Sequence, residues 1–551
     1  MTIQKKITVG ELAVRFLEAC GVKAAFGVIS IHNMPILDAF NARGRIRFVS
    51  ARGEAGACNM ADAYARVSGE LGACVTSTGT GAGNAAGALI EALTAGTPLL
   101  HLTGQIESKY LDRDLGYIHE APAQVAMLQA VGKAAFRVRD SGTALATLRE
   151  AVRIARTPPC GPVSIEIPID VQGSLLDLPA EILPQAVPPV QAHADAVRAL
   201  AERLAVARRP LLWLGGGARA AGDAAQRFVR MGWGIVTSVQ GRGIVPEDHP
   251  ATLGAFNLQK PVEAFYQSCD ALLVVGSRLR SNETLTYELR LPVPLYRIDA
   301  NALAQGRAYP GDLFVQGDAS LTLHALADLL EGRGAVAPGL QADLKMARVA
   351  AEHAVDTTLG AYVALKDALN AQIGGRCWWV RDITLSNTMW GNRSLLIDHP
   401  RAGVHALGGG IGQGLAMGVG AAIANAAHAL GRKTVVLAGD GGLMLNIGEL
   451  ACAAQERADL MLLVMNDRGY GVIKNIQDAV YGGRRCYVDL HTPDFATLCE
   501  SMRVPHFLLR APAQAQDVLA RALNTAGPVM VEVDMQAWGP FAVHFAGPPK
   551  R

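Results

Sequence analysis

The segment from Thr434 to Ile473, TVVLAGDGGLMLNIGELACAAQERADLMLLVMNDRGYGVI, constrains the fold more than any other part of the chain. It opens with an apolar, β-branched run that ends at Gly439-Asp440-Gly441. A helical stretch follows, and a second apolar run, Leu460 to Met465, ends at Asn466-Asp467. Runs of this kind flanking a helical pattern specify a strand, helix, strand unit. Parallel strands deliver their last residues to one edge of a sheet, so Asp440 and Asp467 meet there although far apart in sequence. Two carboxylates at one point call for a cation. The glycines after Asp440, Gly441 and Gly442, let backbone N–H groups approach an anion at a helix start, which is the geometry of a phosphate site. A hard cation beside a phosphate points to Mg²⁺ or Ca²⁺ bridging a diphosphate.

With 551 residues, half of them apolar, the chain is too long for one core and suggests three domains. The formal charge is only +2, and there is neither a basic tract nor a basic patch interleaved with aromatics, which argues against a nucleic-acid partner. The cysteines are scattered, with no CxxC, and read as buried thiols of a reducing compartment. No apolar run reaches membrane-spanning length and the N-terminal stretch lacks a signal-type core, so a cytoplasmic protein without membrane association is expected. Leu175 to Ala192, with Pro179, Pro184, Pro188 and Pro189, and Gly332 to Gln341 read as linkers. The expected domains are therefore 1–175, 192–331 and 360–551. Each alternates short apolar runs with helical stretches, giving an α/β chain whose domains are mostly parallel sheets flanked by helices. The middle one, with LLWLGGGA, GIVTSVQGRG, ALLVVGSRL, PLYRIDA and DLFVQGDA, is Rossmann-like. Gly215-Gly216-Gly217 follows its first strand without the GxGxxG spacing or a suitably placed acid, which counts against a nucleotide-dependent oxidoreductase.

GDG followed by an Asn-Asp pair and Gly469-Tyr470-Gly471 resembles the thiamine diphosphate (ThDP) signature of the acetolactate synthase, pyruvate decarboxylase and benzoylformate decarboxylase superfamily. The likeness extends well beyond that segment. In ARGEAGACNMADAYARVSGE, the residues Arg52, Glu54, Ala57, Ala61, Tyr64, Ala65, Arg66 and Gly69 fall in step with a pattern of the same superfamily. TSTGTGAGN is similar to its GPGxxN loop, with Gly79, Gly81 and Asn84 matching and Thr80 in place of the usual Pro. Gly104-Gln105 and the glycine-rich turn HALGGGIGQG, which contains Gly409 and Ile411, match as well.

The resemblance implies a first domain that binds the cofactor's pyrimidine, a last domain that binds its diphosphate, and a Rossmann-like domain between them. Asp440, Asp467 and the carbonyl of Gly469 would hold Mg²⁺, while Gly441 and Gly442 meet the diphosphate. Asp467 stands where Asn is usual; a second carboxylate remains a competent hard ligand. Gly409, Ile411 and Asn84 would contact the cofactor, with Ile411 as the wedge that bends it. Glu54 would be the activating acid, and His32 and His119 would point at the reacting centre from the first domain. Ile473 takes the place of a Glu that pyruvate decarboxylases use, and Ser77 that of a benzoylformate decarboxylase His. Some members bind FAD in the central domain, where Arg278 and Arg280 could meet a phosphate, so FAD stays a possible second cofactor.

The expected activity is decarboxylation of a 2-oxoacid and transfer of the resulting enamine to a carbonyl acceptor, acetolactate synthase-like, or the reverse lyase reaction. The alternative is a 2-oxoacid decarboxylase that releases an aldehyde. Readings of another class are a nucleotide-binding oxidoreductase and a non-catalytic regulator that keeps the fold. Because Glu54 and the GDG unit lie in different domains, the resemblance implies sites shared between two subunits, a homodimer at minimum and a homotetramer by expectation.

Overall fold

Thr8 begins the first helix as its capping pattern requires: its Oγ1 accepts the Glu11 N–H at 3.0 Å, and the helix runs over Val9–Ala19. From there the computed structural model, which describes residues 6–547, builds three parallel sheets covered by helices. The first has six strands in the spatial order Arg47–Ser50, Ala24–Gly27, Gly72–Thr76, Leu99–Gln105, Pro162–Pro168, Ala134–Arg137. The second has five: Gly234–Thr237, Pro210–Leu214, Ala271–Val275, Leu295–Asp299, Leu313–Gln316. The third has six: Gly403–His405, Cys377–Arg381, Lys433–Gly439, Leu460–Asn466, Val529–Asp534, His506–Leu509. The first and third sheets share one topology. In each, the strands in chain order occupy the positions second, first, third, fourth, sixth, fifth. Their central strands read as continuous apolar runs because helices cover both faces; all of Leu460–Asn466 is buried.

Leu175–Asp177, read from the sequence as the start of a linker, is instead a short strand pairing antiparallel with Lys6–Thr8. The proline-rich residues 178–193 that follow carry no helix or strand. In the second stretch read as a linker, a long helix, Leu340–Leu359, already begins at its end. Among the described residues no helix is long and apolar enough to cross a membrane. All nine cysteines are free thiols, and only Cys160 and Cys486 are not buried.

The first and third sheets meet through two helices rich in glycine and alanine, Glu54–Ser68 and Gly414–Ala427. Small residues bring the backbones together: a Cβ on Gly420 would sit 2.1 Å from the Met60 carbonyl oxygen. Tyr64 closes one end, its hydroxyl 2.9 Å from His428 Nε2 and accepting the Lys23 N–H at 3.2 Å.

Candidate active site

Lys433–Gly439 and Leu460–Asn466 pair in parallel, with Gly439 opposite Met465, so both strands end on one edge. Asp440 and Asp467 emerge there together. Asp440 is fully buried, its Oδ1 accepting the Asp467 N–H at 3.3 Å and its Oδ2 the Gly469 N–H at 2.9 Å. Burial pushes both carboxyls above their usual range, and the charge of Asp440 raises Asp467 further, to about 7. Lys474 brings a counter-charge, its Nζ donating to the carbonyl oxygens of Asp467 and Arg468 at 3.2 Å each. Gly469 leaves no room for a side chain, since a Cβ would lie 2.2 Å from the Val488 oxygen.

The glycine-rich turn lies against this edge. A Cβ on Gly412 would stand 2.8 Å from the Gly442 oxygen, and one on Gly442 would be 3.4 Å from the Gly412 nitrogen. Gly441 is enclosed by Leu490 and the Tyr470 ring. Between the turn's two ends Gly409 and Ile411 stay open to solvent, Ile411 at 40% exposure. Two carboxylates anchor those ends. Glu91 Oε1 and Oε2 accept the N–H groups of Leu407 at 2.7 Å and Gly408 at 2.5 Å. Asp382, at the end of strand Cys377–Arg381, accepts those of Gly412 and Gly414, both at 3.1 Å. Glu91 is in turn held by Arg66, which also pairs with Asp62 in a fully buried cluster.

A second group forms at the first sheet. Glu54 opens its helix, and its Oε2 accepts the Asn84 side-chain N–H at 3.0 Å. Gly81 keeps space beside it: a Cβ there would be 3.1 Å from Glu54 Oε1. His32 is buried and His119 exposed, with ring centroids 5.2 Å apart in an edge contact. Burial first, and the His119 charge second, hold the His32 imidazole below its ordinary pKa, which favours the neutral form. His119 adopts a left-handed backbone with φ 70°. The segment carrying it rests on Gly79, where a Cβ would be 2.3 Å from the His119 oxygen. Gln124 locks that contact by accepting the Gly79 N–H at 2.7 Å and the Thr78 hydroxyl at 3.0 Å.

Asp440, Asp467, Gly469, Gly441, Gly442, Gly409 and Ile411 thus gather at the third sheet, whereas Glu54, Asn84, His32 and His119 gather at the first. Ile473 lies on the helix Gly471–Val480 next to the Asp467 loop, 45% exposed. Among the described residues no hydrogen bond or ion pair joins Glu54 to the Asp440 group within one chain. A cavity of about 290 Å³ runs beside Asp467, Lys474 and His544. A larger cleft of about 390 Å³ lies elsewhere, between the first and second sheets, lined by Arg219, Arg278, Arg280 and Arg307. We take the carboxylate edges, not this cleft, as the reacting site, because the cleft touches neither Glu54 nor Asp440.

Three contributors escaped the sequence reading: Asp382, Glu91 and Gln124. Asp382 had a usable signal, since it follows an apolar strand on the same edge as Asp440. Glu91 and Gln124 bond to backbone groups remote in sequence, and no spacing marks them.

Comparison with known proteins bears on all three sheets. Residues 7–127 match the model described as thiamine pyrophosphate enzyme, N-terminal TPP binding domain; residues 197–326 match the central domain, and 386–533 the C-terminal TPP binding domain. A probable 2-ketoarginine decarboxylase of Pseudomonas aeruginosa is 33% identical over 86% of this chain and 85% of its own length. A probable acetolactate synthase large subunit of Methanocaldococcus jannaschii is 27% identical over 95% of this chain and 91% of its own. The acetolactate synthase isozyme 1 large subunit of Escherichia coli is 26% identical over 97% and 95%. With a domain-by-domain match along the chain and a relative of this identity and coverage, the chain belongs to the thiamine pyrophosphate enzyme family and is a ThDP-dependent enzyme.

Proposed function

We propose that this enzyme decarboxylates a 2-oxoacid and passes the remaining fragment to a carbonyl acceptor, with ThDP and Mg²⁺ bound between the Asp440 edge of one copy and the Glu54 edge of another. The observation that carries this reading is that the Asp440–Asp467 edge and the Glu54–Asn84 pair form two complementary groups that, among the described residues, no hydrogen bond or ion pair joins within one chain. The residues at the third sheet fit a metal and a diphosphate. Two carboxyls lifted by desolvation, Asp467 further by the charge of Asp440, are relieved by a divalent cation, and Gly412 and Gly442 approach so closely that a backbone cradle takes the place of side chains. Asp440, Asp467 and Gly469 would hold Mg²⁺, and Gly441 and Gly442 the diphosphate. ThDP, when bound, supplies the electron sink for loss of CO₂.

The chain's own residues supply the rest. Glu54, fixed by Asn84, would hold a proton at the cofactor's aminopyrimidine. Gly409 and Ile411, on a turn tied down at both ends, would support and bend the cofactor. Solvent-exposed apolar residues surround each half: Ile29, Ile31 and Ile118 near the histidines, and Ile411, Leu445 and Ile473 near the carboxylates. Contact between two copies would bury both sets and exclude water from the site. A homodimer is therefore the smallest active unit in this reading, and a dimer of dimers, a homotetramer, is compatible with it. The reaction uses no flavin, so FAD in the arginine-lined cleft is not required by it.

The apolar Ile473 stands where pyruvate decarboxylases use a Glu, so that position offers no acid to protonate the fragment, which supports transfer over aldehyde release. A second reading, a 2-oxoacid decarboxylase that releases an aldehyde, is favoured by the His32–His119 pair as proton source and by the 2-ketoarginine decarboxylase relative. Mass-spectrometric product analysis, with aliphatic, aromatic and basic 2-oxoacids and with or without an aldehyde acceptor, separates the two. Glu54→Gln should lower turnover by about two orders of magnitude or more; unchanged turnover would defeat both readings.

A further inference from the structure

The helix that presents Glu54 has no side-chain cap of its own. Its N-cap is Gly53, and none of its first-turn N–H groups is taken by a cap side chain. The two residues that lead into it are held instead from the third domain. Glu449, at the start of the helix Glu449–Gln455, places its two carboxylate oxygens 3.0 and 3.2 Å from the Arg52 nitrogen, and the Gly53 N–H also bonds to it. Gly56 makes this possible, since a Cβ there would lie 2.1 Å from Glu449 Oε1. Glu449 is 2% exposed, and burial raises its carboxyl to about 7. Keeping such a group in the interface is costly, and what it secures is the backbone of the two residues directly before Glu54.

We propose that Glu449 is the positioning residue for Glu54. It acts through the Arg52 and Gly53 backbone, and it stands on the helix that follows the Asp440–Leu445 turn. The inference rests on the reading of Glu54 as the activating acid of a site shared by two copies. In that assembly Glu54 and Asp440 of one chain belong to different sites, so Glu449 ties the anchor of one site to the acid of the other.

The test uses full-length enzyme loaded with ThDP and Mg²⁺. The exchange rate of the cofactor's C2 proton with deuterium is read by quenched-flow NMR, and ThDP affinity by calorimetry. Glu449→Ala should slow exchange by about tenfold, the equivalent of one lost hydrogen bond, while affinity stays within about threefold, because the anchoring half is untouched. Glu449→Gln keeps an oxygen for the Arg52 N–H and should restore most of the rate. Gly56→Ala, which pushes the Glu449 carboxylate aside without removing it, should slow exchange as Glu449→Ala does, and it serves if the latter fails to fold. Wild-type exchange in Glu449→Ala or in Gly56→Ala overturns the proposal. So does a Glu449→Gln variant as slow as Glu449→Ala, since the charge and not the backbone hold would then matter. Glu54→Gln is measured alongside: if it exchanges at the wild-type rate, the reading of Glu54 itself falls, and if it is slow, the other variants judge Glu449 alone.

Discussion

Asp382 provides the most quantitative test of how the glycine-rich turn is held. It is 1% exposed and accepts the N–H groups of Ile383 at 2.7 Å and of Gly412 and Gly414 at 3.1 Å. Those bonds favour the charged form, but burial outweighs them and lifts the carboxyl from its ordinary 3.8 to about 6. In the unfolded chain the proton leaves near 3.8; in the folded protein it is retained to about 6. Across that window the unfolded state binds fewer protons, so this residue's contribution to stability falls as pH rises, and the loss is complete above the folded value. A little over two decades at about 1.4 kcal/mol each gives a penalty of about 3 kcal/mol at neutral pH. Asp382→Asn cannot ionise and escapes this penalty, but its amide faces backbone donors at a cost of about 1–3 kcal/mol that does not vary with pH. The variant should therefore gain on the native chain by about 2 kcal/mol between about pH 4 and pH 8. A three-domain chain need not unfold in two states, so a local measurement is appropriate: hydrogen exchange of the peptide spanning residues 403–414, corrected for the intrinsic rate at each pH. A difference that stays constant over the range, or that shifts in favour of the native chain as pH rises, refutes the claim that the turn is held by a carboxylate kept charged against its burial.

Two further outcomes follow from the same geometry. Gly420→Ala puts a methyl 2.1 Å from the Met60 oxygen, so the two interface helices must part, at a cost of about 1–3 kcal/mol or more; a lower unfolding midpoint and faster proteolysis between the first and third domains are expected, and a native midpoint contradicts the packing. His119→Gln removes a charge that holds His32 down, so the His32 imidazole should titrate closer to 6.5, as followed by NMR, and an unmoved or lower titration contradicts the pairing.

The features legible in the sequence are those written as strand periodicity. Asp440 and Asp467 follow apolar runs, and parallel pairing alone brings them together. The tight packing of the Glu54 helix is equally legible in its glycine and alanine spacing, and its backbone at Met60 does come within reach of Gly420. Other features depend on partners that no local pattern names. Glu449 and Glu91 each bond to main-chain N–H groups more than three hundred positions away, and any residue type could supply those groups. The strand Leu175–Asp177 hides in a proline-rich stretch because three residues are too few to show a period. Asp382 is readable by the logic that finds Asp440, since it too follows an apolar strand on that edge.

The positions of Glu449 and Glu91 become intelligible from topology. Glu54–Ser68 follows the second strand of the first sheet, and Gly414–Ala427 follows the second strand of the third sheet. The helices carrying Glu91 and Glu449 likewise each follow a third strand, Gly72–Thr76 and Lys433–Gly439. The interface inside the chain therefore joins equivalent elements of two like-ordered sheets, and it has the logic of a twofold contact, in which each side offers the other what it receives. Glu449 takes the N–H of Arg52 ahead of one interface helix; Glu91 takes those of Leu407 and Gly408 ahead of the other. Glycines make room on both sides, Gly56 for Glu449 and Gly408 for Glu91. One segment leads to Glu54 and the other to Ile411, the acid and the wedge of the proposed function, so a single symmetric contact sets the backbone ahead of both. In the proposed assembly it is a second copy that brings the two half-sites face to face.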